Sequence, residues 1–124
     1  MINKLLIFIA ALLMLGWGVA HLVPTKNVVA GFGAISADNV RIITMEWIVE
    51  GAALIFLAIL TAAVTYFDYE SAASKTVFVL VPAMLVALTV ISFFTGFRVD
   101  FLPFKLCPAI FMTSAILIIV GRFL

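Results

Sequence analysis

Apolar residues fill this chain in four long runs, parted by short clusters of polar residues, glycine and proline. The runs cover about residues 4–22, 40–66, 74–96 and 103–123. Each is close to the roughly 20 residues that a helix needs to cross a bilayer. The pattern therefore predicts four transmembrane helices. The second run is long for a perpendicular crossing, so that helix should tilt or project beyond the hydrocarbon. Residues Phe67–Ser74 and Phe97–Pro103 form compact polar links, which join antiparallel neighbours. The expected fold is an all-α, up-down-up-down four-helix bundle with both termini on the same side. The first link, Val23–Asn39, is longer and carries Pro24, Gly31, Gly33, Ser36, Asp38 and Asn39, which is turn and cap chemistry. Ser36 or Asp38 suits the N-cap of the second helix, because its oxygen can accept an orphaned backbone N–H. Pro82 should kink the third helix. Pro108 is expected in the first turn of the fourth, where proline costs little.

Composition turns these runs into a class. The 124 residues are 67% hydrophobic and 10% charged, against roughly 45–50% and 25% in soluble domains. That is an integral membrane protein, read as one domain over residues 1–124, with the lipid bilayer as its first partner. A formal net charge of +1 and the lack of any basic run exclude a nucleic-acid partner. Cys107, the single cysteine, has no intrachain disulfide partner. The N-terminus resembles a signal peptide, but no small-x-small cleavage site follows its apolar run, so it is read as an uncleaved first helix. Lys4, Lys75 and Arg122 fall on one side of the bundle, and Lys26, Arg41, Arg98 and Lys105 on the other. Three against four leaves membrane orientation open.

The candidate chemistry gathers at one end. Glu46 and Glu50 stand inside the second apolar run, four residues apart, on one helical face with Asn39, Ala53 and Leu57. A carboxylate at the middle of a membrane helix costs about 2.5–3.5 kcal/mol on insertion scales, so it needs a partner, a proton or water. His21 ends the first run on a face shared with Met14, Trp17 and Gly18. We expect the His21 face to meet the glutamate face, flanked by Trp17 and Trp47, with Arg98 closing the group. The bland alternative is structural: the glutamates pair with His21, Arg98 or Arg41 and only fix helix register. The chain lacks the glutamate-x-x-histidine pattern of di-iron bundles, and no metal site is expected. A cation held by His21, Glu46 and Glu50 is the minor alternative. Cys107 is placed at the start of the fourth helix and read as an inert buried thiol. Phe93, Phe94, Phe97, Phe101 and Phe104 cluster around the third link, as an interfacial aromatic belt or the mouth of a lipid or quinone pocket.

Three stretches resemble the DoxX-like group of small four-helix membrane proteins. Helix one ends Gly16-Trp-Gly-Val-Ala-His-Leu22, and helix two opens Met45-Glu-Trp-Ile-Val-Glu-Gly51 before an alanine/leucine run. Helix four begins near a proline and ends on Arg122. The resemblance implies the same bundle, with Glu46, Glu50 and His21 lining its pocket. Members of that group are linked to membrane redox systems, among them a subunit of a thiosulfate–quinone oxidoreductase, and a distant relative chaperones receptor assembly. The long first link departs from the pattern.

The expectation is an accessory subunit of a bacterial inner membrane with no catalytic activity of its own. It would hold a quinone or lipid near Glu46, Glu50, His21, Arg98, Trp17 and Trp47. Two other readings stand beside it: an assembly scaffold without ligand, in a larger redox complex or a homo-oligomer, and a small proton-coupled transporter acting as an oligomer.

Overall fold

The computed structural model describes residues 1–124, and all of its regular structure is helical. Helix α1 spans Ile2–Leu22, α2 Thr25–Ala30, α3 Ala37–Phe67, α4 Ala72–Thr95 and α5 Leu102–Phe123. All but α2 are long and apolar enough to cross a membrane. The chain is a small multi-pass membrane protein built as a bundle of four long helices.

The short helix α2 lies inside the link read from sequence as turns. Pro24 cannot donate a backbone hydrogen bond, so α1 stops there. The Thr25 hydroxyl then donates to the carbonyls of His21 and Leu22, at 3.0 and 2.8 Å, and satisfies the end of α1. Gly33, at φ +74°, supplies the left-handed residue that turns the chain toward α3. Ser36 is the N-cap of α3, accepting from the Asn39 N–H at 3.2 Å. Asp38 instead sits in the first turn and pairs with Arg41 at 3.1 Å. Ser71 caps α4 in the same manner, accepting from the Ser74 N–H.

One expectation at the last helix is corrected. Helix α5 starts at Leu102, so Pro103 occupies its first turn and Pro108 lies buried in its interior. The carbonyl of Phe104 thereby loses its helical N–H partner. Cys107 also moves, from the helix start into the second turn, away from the strongest field of the helix dipole.

Inward-facing positions follow a steady spacing of three and four. On α3 they are Trp47, Gly51, Leu54, Ala58, Thr61 and Thr65. On α1 they are Ile7, Ala10, Ala11, Met14, Gly18 and His21. This repeat keeps one seam of each helix toward its neighbours. Many seam residues are small, as membrane helices require: lipid is as apolar as leucine, so close backbone contact replaces the hydrophobic drive. Gly18 and Gly51 mark the α1–α3 crossing, where a Cβ on either would fall 2.8–2.9 Å from the other's carbonyl oxygen. Gly121 marks the α1–α5 crossing against the Asn3 carbonyl and Ile7.

Helix α1 packs along both α3 and α5, and α5 packs along α4. Contact between α3 and α4 is slight. The bundle is thus an open arc with one gap in its wall. The core fills the inside of the arc, with Phe78 and Leu85 from α4 and Phe111 and Ile118 from α5 packed on Ile7, Met14 and Leu54. At one end a polar knot ties the α3–α4 turn to the end of α5. The Tyr69 hydroxyl donates to the Gly121 carbonyl at 2.7 Å, and the Arg122 guanidinium lies over the Tyr69 ring while bonding both oxygens of Glu70.

Candidate functional site

The other end holds the chemistry. The Gly18–Gly51 crossing presses the C-terminal turn of α1 against α3 and puts His21 beside Trp47 and Glu50. The His21 ring stacks on Trp47 with centroids 4.5 Å apart, and Trp17 meets its edge at 5.6 Å. The Trp47 indole N–H donates to the His21 backbone carbonyl. His21 is held by aromatic walls on two sides and is 2% exposed.

Geometry assigns the roles of its two nitrogens. Nδ1 lies 2.9 Å from the Trp17 carbonyl. A carbonyl can only accept, so Nδ1 carries hydrogen. Nε2 points the other way, 3.5 Å from Glu50 Oε1, and has no hydrogen-bond partner. Cys107, 4% exposed, reaches the same place from α5. Its sulfur, a His21 ring nitrogen and a Glu50 oxygen all lie within 4.8 Å of one another. Trp17 Nε1 is a second buried atom without a partner beside this centre. A hollow of about 150 Å³ adjoins it, walled by Trp17, His21, Trp47, Pro24, Phe101 and Pro103.

On its far side Glu50 opens into the gap between α3 and α4. There a groove of about 440 Å³ is lined by Ile42, Glu46, Trp47, Glu50, Leu57, Met84 and Leu88 among others, with Phe104 at its end. The two glutamates are the only charged groups on its walls. Glu50 is 37% exposed and Glu46 is exposed without an ion pair. A wider hollow at the opposite end, about 750 Å³, is lined by the first turn of α1 and the α3–α4 turn, with Lys4, Asp68 and Glu70 on its walls.

Depth follows from helical rise. Glu50 lies about 26 Å along α3 from Phe67, and His21 lies about the same distance along α1 from Lys4. The charged knot of Lys4, Glu70, Lys75 and Arg122 marks the near edge of the hydrocarbon, which is roughly 30 Å thick. The centre is therefore just inside the far edge, not at mid-membrane, and Glu46 is one turn further out. The length of α3 is explained in the same way: its first turns project past the hydrocarbon.

Most of the expected residues converge, but not all. His21, Trp17, Trp47 and Glu50 form one cluster. Glu46 lines the groove and does not touch His21. Arg98 stands exposed after the end of α4 and makes no ion pair with either glutamate. Arg41 pairs with Asp38, and Lys105 with Asp100 at 3.0 Å, so two of the four cations of this end are used locally. The glutamate face is offset from the seam. Trp47 and Gly51 face α1, while Glu46, Glu50 and Leu57 flank them toward α4. Of the five phenylalanines near the third link, Phe104 reaches the site, edge-on to Trp47 at 5.8 Å, Phe101 walls the adjoining hollow, and Phe93, Phe94 and Phe97 pack apart on the surface. Cys107 was the residue missed. Its place at the same end as His21 was the signal, since the fourth helix must return alongside the first.

These features define a class: a small multi-pass membrane protein with a histidine–carboxylate–thiol centre, its histidine and thiol buried, at one rim of its bundle. Compared with protein-family models, curated proteins and solved structures, the chain matches none.

Proposed function

We propose that this chain is an accessory membrane subunit that holds an amphiphilic molecule, a quinone or a lipid, in the groove between α3 and α4. One observation carries the reading. The single gap in the bundle is apolar along most of its length and bears its only charges, Glu46 and Glu50, at one end. Those charges sit near the far edge of the hydrocarbon, Glu50 just inside it and Glu46 one turn further out. The groove continues past Leu57 and Met84 toward the membrane middle, where a tail would lie parallel to the lipids. An amphiphile entering sideways from the bilayer meets polar groups where its head would be and aliphatic walls along its tail. Glu46 and Glu50 bind the head, and His21 supports Glu50 from behind. The resemblance to DoxX-like proteins agrees with such a role and with a place in a bacterial inner membrane.

Exposed, unpaired Glu46 on an apolar helix favours a second reading, in which the groove receives a transmembrane helix of a larger complex. Native mass spectrometry from lipid nanodiscs separates the two. On the first reading, wild-type protein carries a quinone or lipid adduct that Glu46→Gln and Glu50→Gln reduce. Variants that stay folded and keep the adduct unchanged sink the ligand role. Recovery of a larger assembly with no adduct, broken by the same substitutions, replaces it with the scaffold role.

A further inference from the structure

We infer that His21, Glu50 and Cys107 form a divalent transition-metal site, suited to zinc, with an open coordination position. The inference goes beyond the groove and does not depend on what the groove holds.

Three observations converge. The first is the donor set. An imidazole nitrogen, a carboxylate oxygen and a thiol sulfur from three different helices lie within 4.8 Å of one another. Nitrogen, sulfur and oxygen together are the ligands of zinc sites, and three protein ligands leave the fourth position free. The second is the state of His21 Nε2. It is buried without a hydrogen-bond partner and directed at Glu50, while Nδ1 is anchored on the Trp17 carbonyl. Metal-bound histidines are oriented in this way: one nitrogen donates to a carbonyl and the other presents its lone pair. The third is rigidity. Stacking on Trp47 and the α1–α3 glycine crossing fix the ring before anything binds.

A zinc ion needs ligands at about 2.0–2.3 Å, which puts tetrahedral ligand atoms roughly 3.5 Å apart. The group must close by about an ångström. Glu50 is half-exposed and has free side-chain torsions, and Cys107 has one, so the closure needs no helix to move. The fourth position would open beside Glu50. The competing occupant is a proton shared between Nε2 and Glu50, which satisfies those two atoms and leaves Cys107 without a role.

Cobalt(II) titration of the full-length protein in nanodiscs tests the site, because a thiolate ligand gives cobalt a charge-transfer band in the near ultraviolet. We expect one Co²⁺ per chain with that band, displaced by Zn²⁺. Cys107→Ser, nearly isosteric, should abolish the band, and Glu50→Gln should weaken Co²⁺ binding by at least about 100-fold, beyond the usual loss of an outer-shell partner. Glu70→Gln, at the other end of the bundle, should bind as wild type. Helical circular dichroism and thermal melts establish that each variant is folded. Folded wild-type protein that gives no stoichiometric cobalt band overturns the proposal, as does a band that survives in Cys107→Ser.

Discussion

Replacing Gly51 by alanine tests whether the α1–α3 crossing, rather than its polar groups, holds the site together. The added methyl would meet the Gly18 carbonyl oxygen and Leu22 Cδ2 at 2.9 Å and His21 Cβ at 3.0 Å. The leucine tip can rotate, but a backbone carbonyl cannot, so the helices must separate. Overpacking of this kind costs about 1–3 kcal/mol. Alanine also gains about 1 kcal/mol of helix propensity over glycine. Gly16→Ala isolates that gain, because a Cβ at Gly16 meets nothing within 4 Å. The informative quantity is the difference between the two variants, in which propensity cancels. Gly51→Ala should be less stable than Gly16→Ala by about 1–3 kcal/mol. Reversible unfolding in mixed detergent micelles measures it. Trp47 fluorescence should also change in Gly51→Ala alone, since separating the helices loosens its stack on His21. Equal stabilities for the two variants would refute the argument, because they would show that α1 and α3 do not touch through these glycines.

Four further outcomes follow from single contacts. Trp47→Phe removes the indole donor to the His21 carbonyl but leaves that oxygen its bond from Thr25; unfolding should show a loss of about 0.5–1.5 kcal/mol. Thr61→Val replaces a fully buried hydroxyl without a partner, so the variant should melt at or above the wild-type temperature; a marked drop would mean the hydroxyl is bonded. Tyr69→Phe removes the tie between the α3–α4 turn and the end of α5, which should cost about 0.5–1.5 kcal/mol in the same unfolding assay and speed hydrogen exchange near Gly121. Ala53→Trp places a ring in the groove; a copurifying amphiphile should be lost while the circular dichroism spectrum stays unchanged, and retention of the amphiphile would argue against the groove.

How much was legible depends on what lipid does to sequence signals. The four long helices were plain, because length and apolarity are the signal in a membrane. Which face of each helix points inward was harder. The helices are apolar nearly all round, so their lipid sides carry Phe56, Ile59 and Leu80 as readily as their seams carry Leu54 and Leu85. Polar and small residues mark the seam instead: His21, Thr61, Thr65, Gly18, Gly51 and Gly121. Reading the glutamates as the seam of the second helix missed by one position, because Trp47 and Gly51 take that place and leave Glu46 and Glu50 at the flank. Helix α2 was hidden by Pro24, Gly31 and Gly33, whose turn chemistry also suits a six-residue helix between two turns. Pro108 was misplaced because two prolines, at 103 and 108, competed for the helix start. Pairing of His21 with Glu50 stood only as one of three partners, beside Arg98 and Arg41, in the structural alternative. That Cys107 would join them needs the depth of α5 relative to α1, which no local pattern encodes.

The polar centre and the open groove have one structural cause. Glycine at 18 and 51 draws α3 onto α1, and glycine at 121 draws α5 onto α1, so α1 is clasped from both sides. Two close crossings on one helix leave α3 and α4 too far apart to touch for most of their length, and the gap opens there. Glu50 stands between the two: one side of its carboxylate faces His21 behind the crossing, and the other faces the groove. Anything that changes the charge at Glu50, a proton or a cation, is therefore felt on both sides. A groove occupant and an occupant of the centre should influence each other's binding, and linkage requires that influence to be reciprocal. With zinc at the centre and a quinone or lipid in the groove, adding either should change the affinity for the other by the same factor. Paired titrations on one nanodisc preparation measure both factors. Factors of one in both directions would mean that the two ligands do not share Glu50.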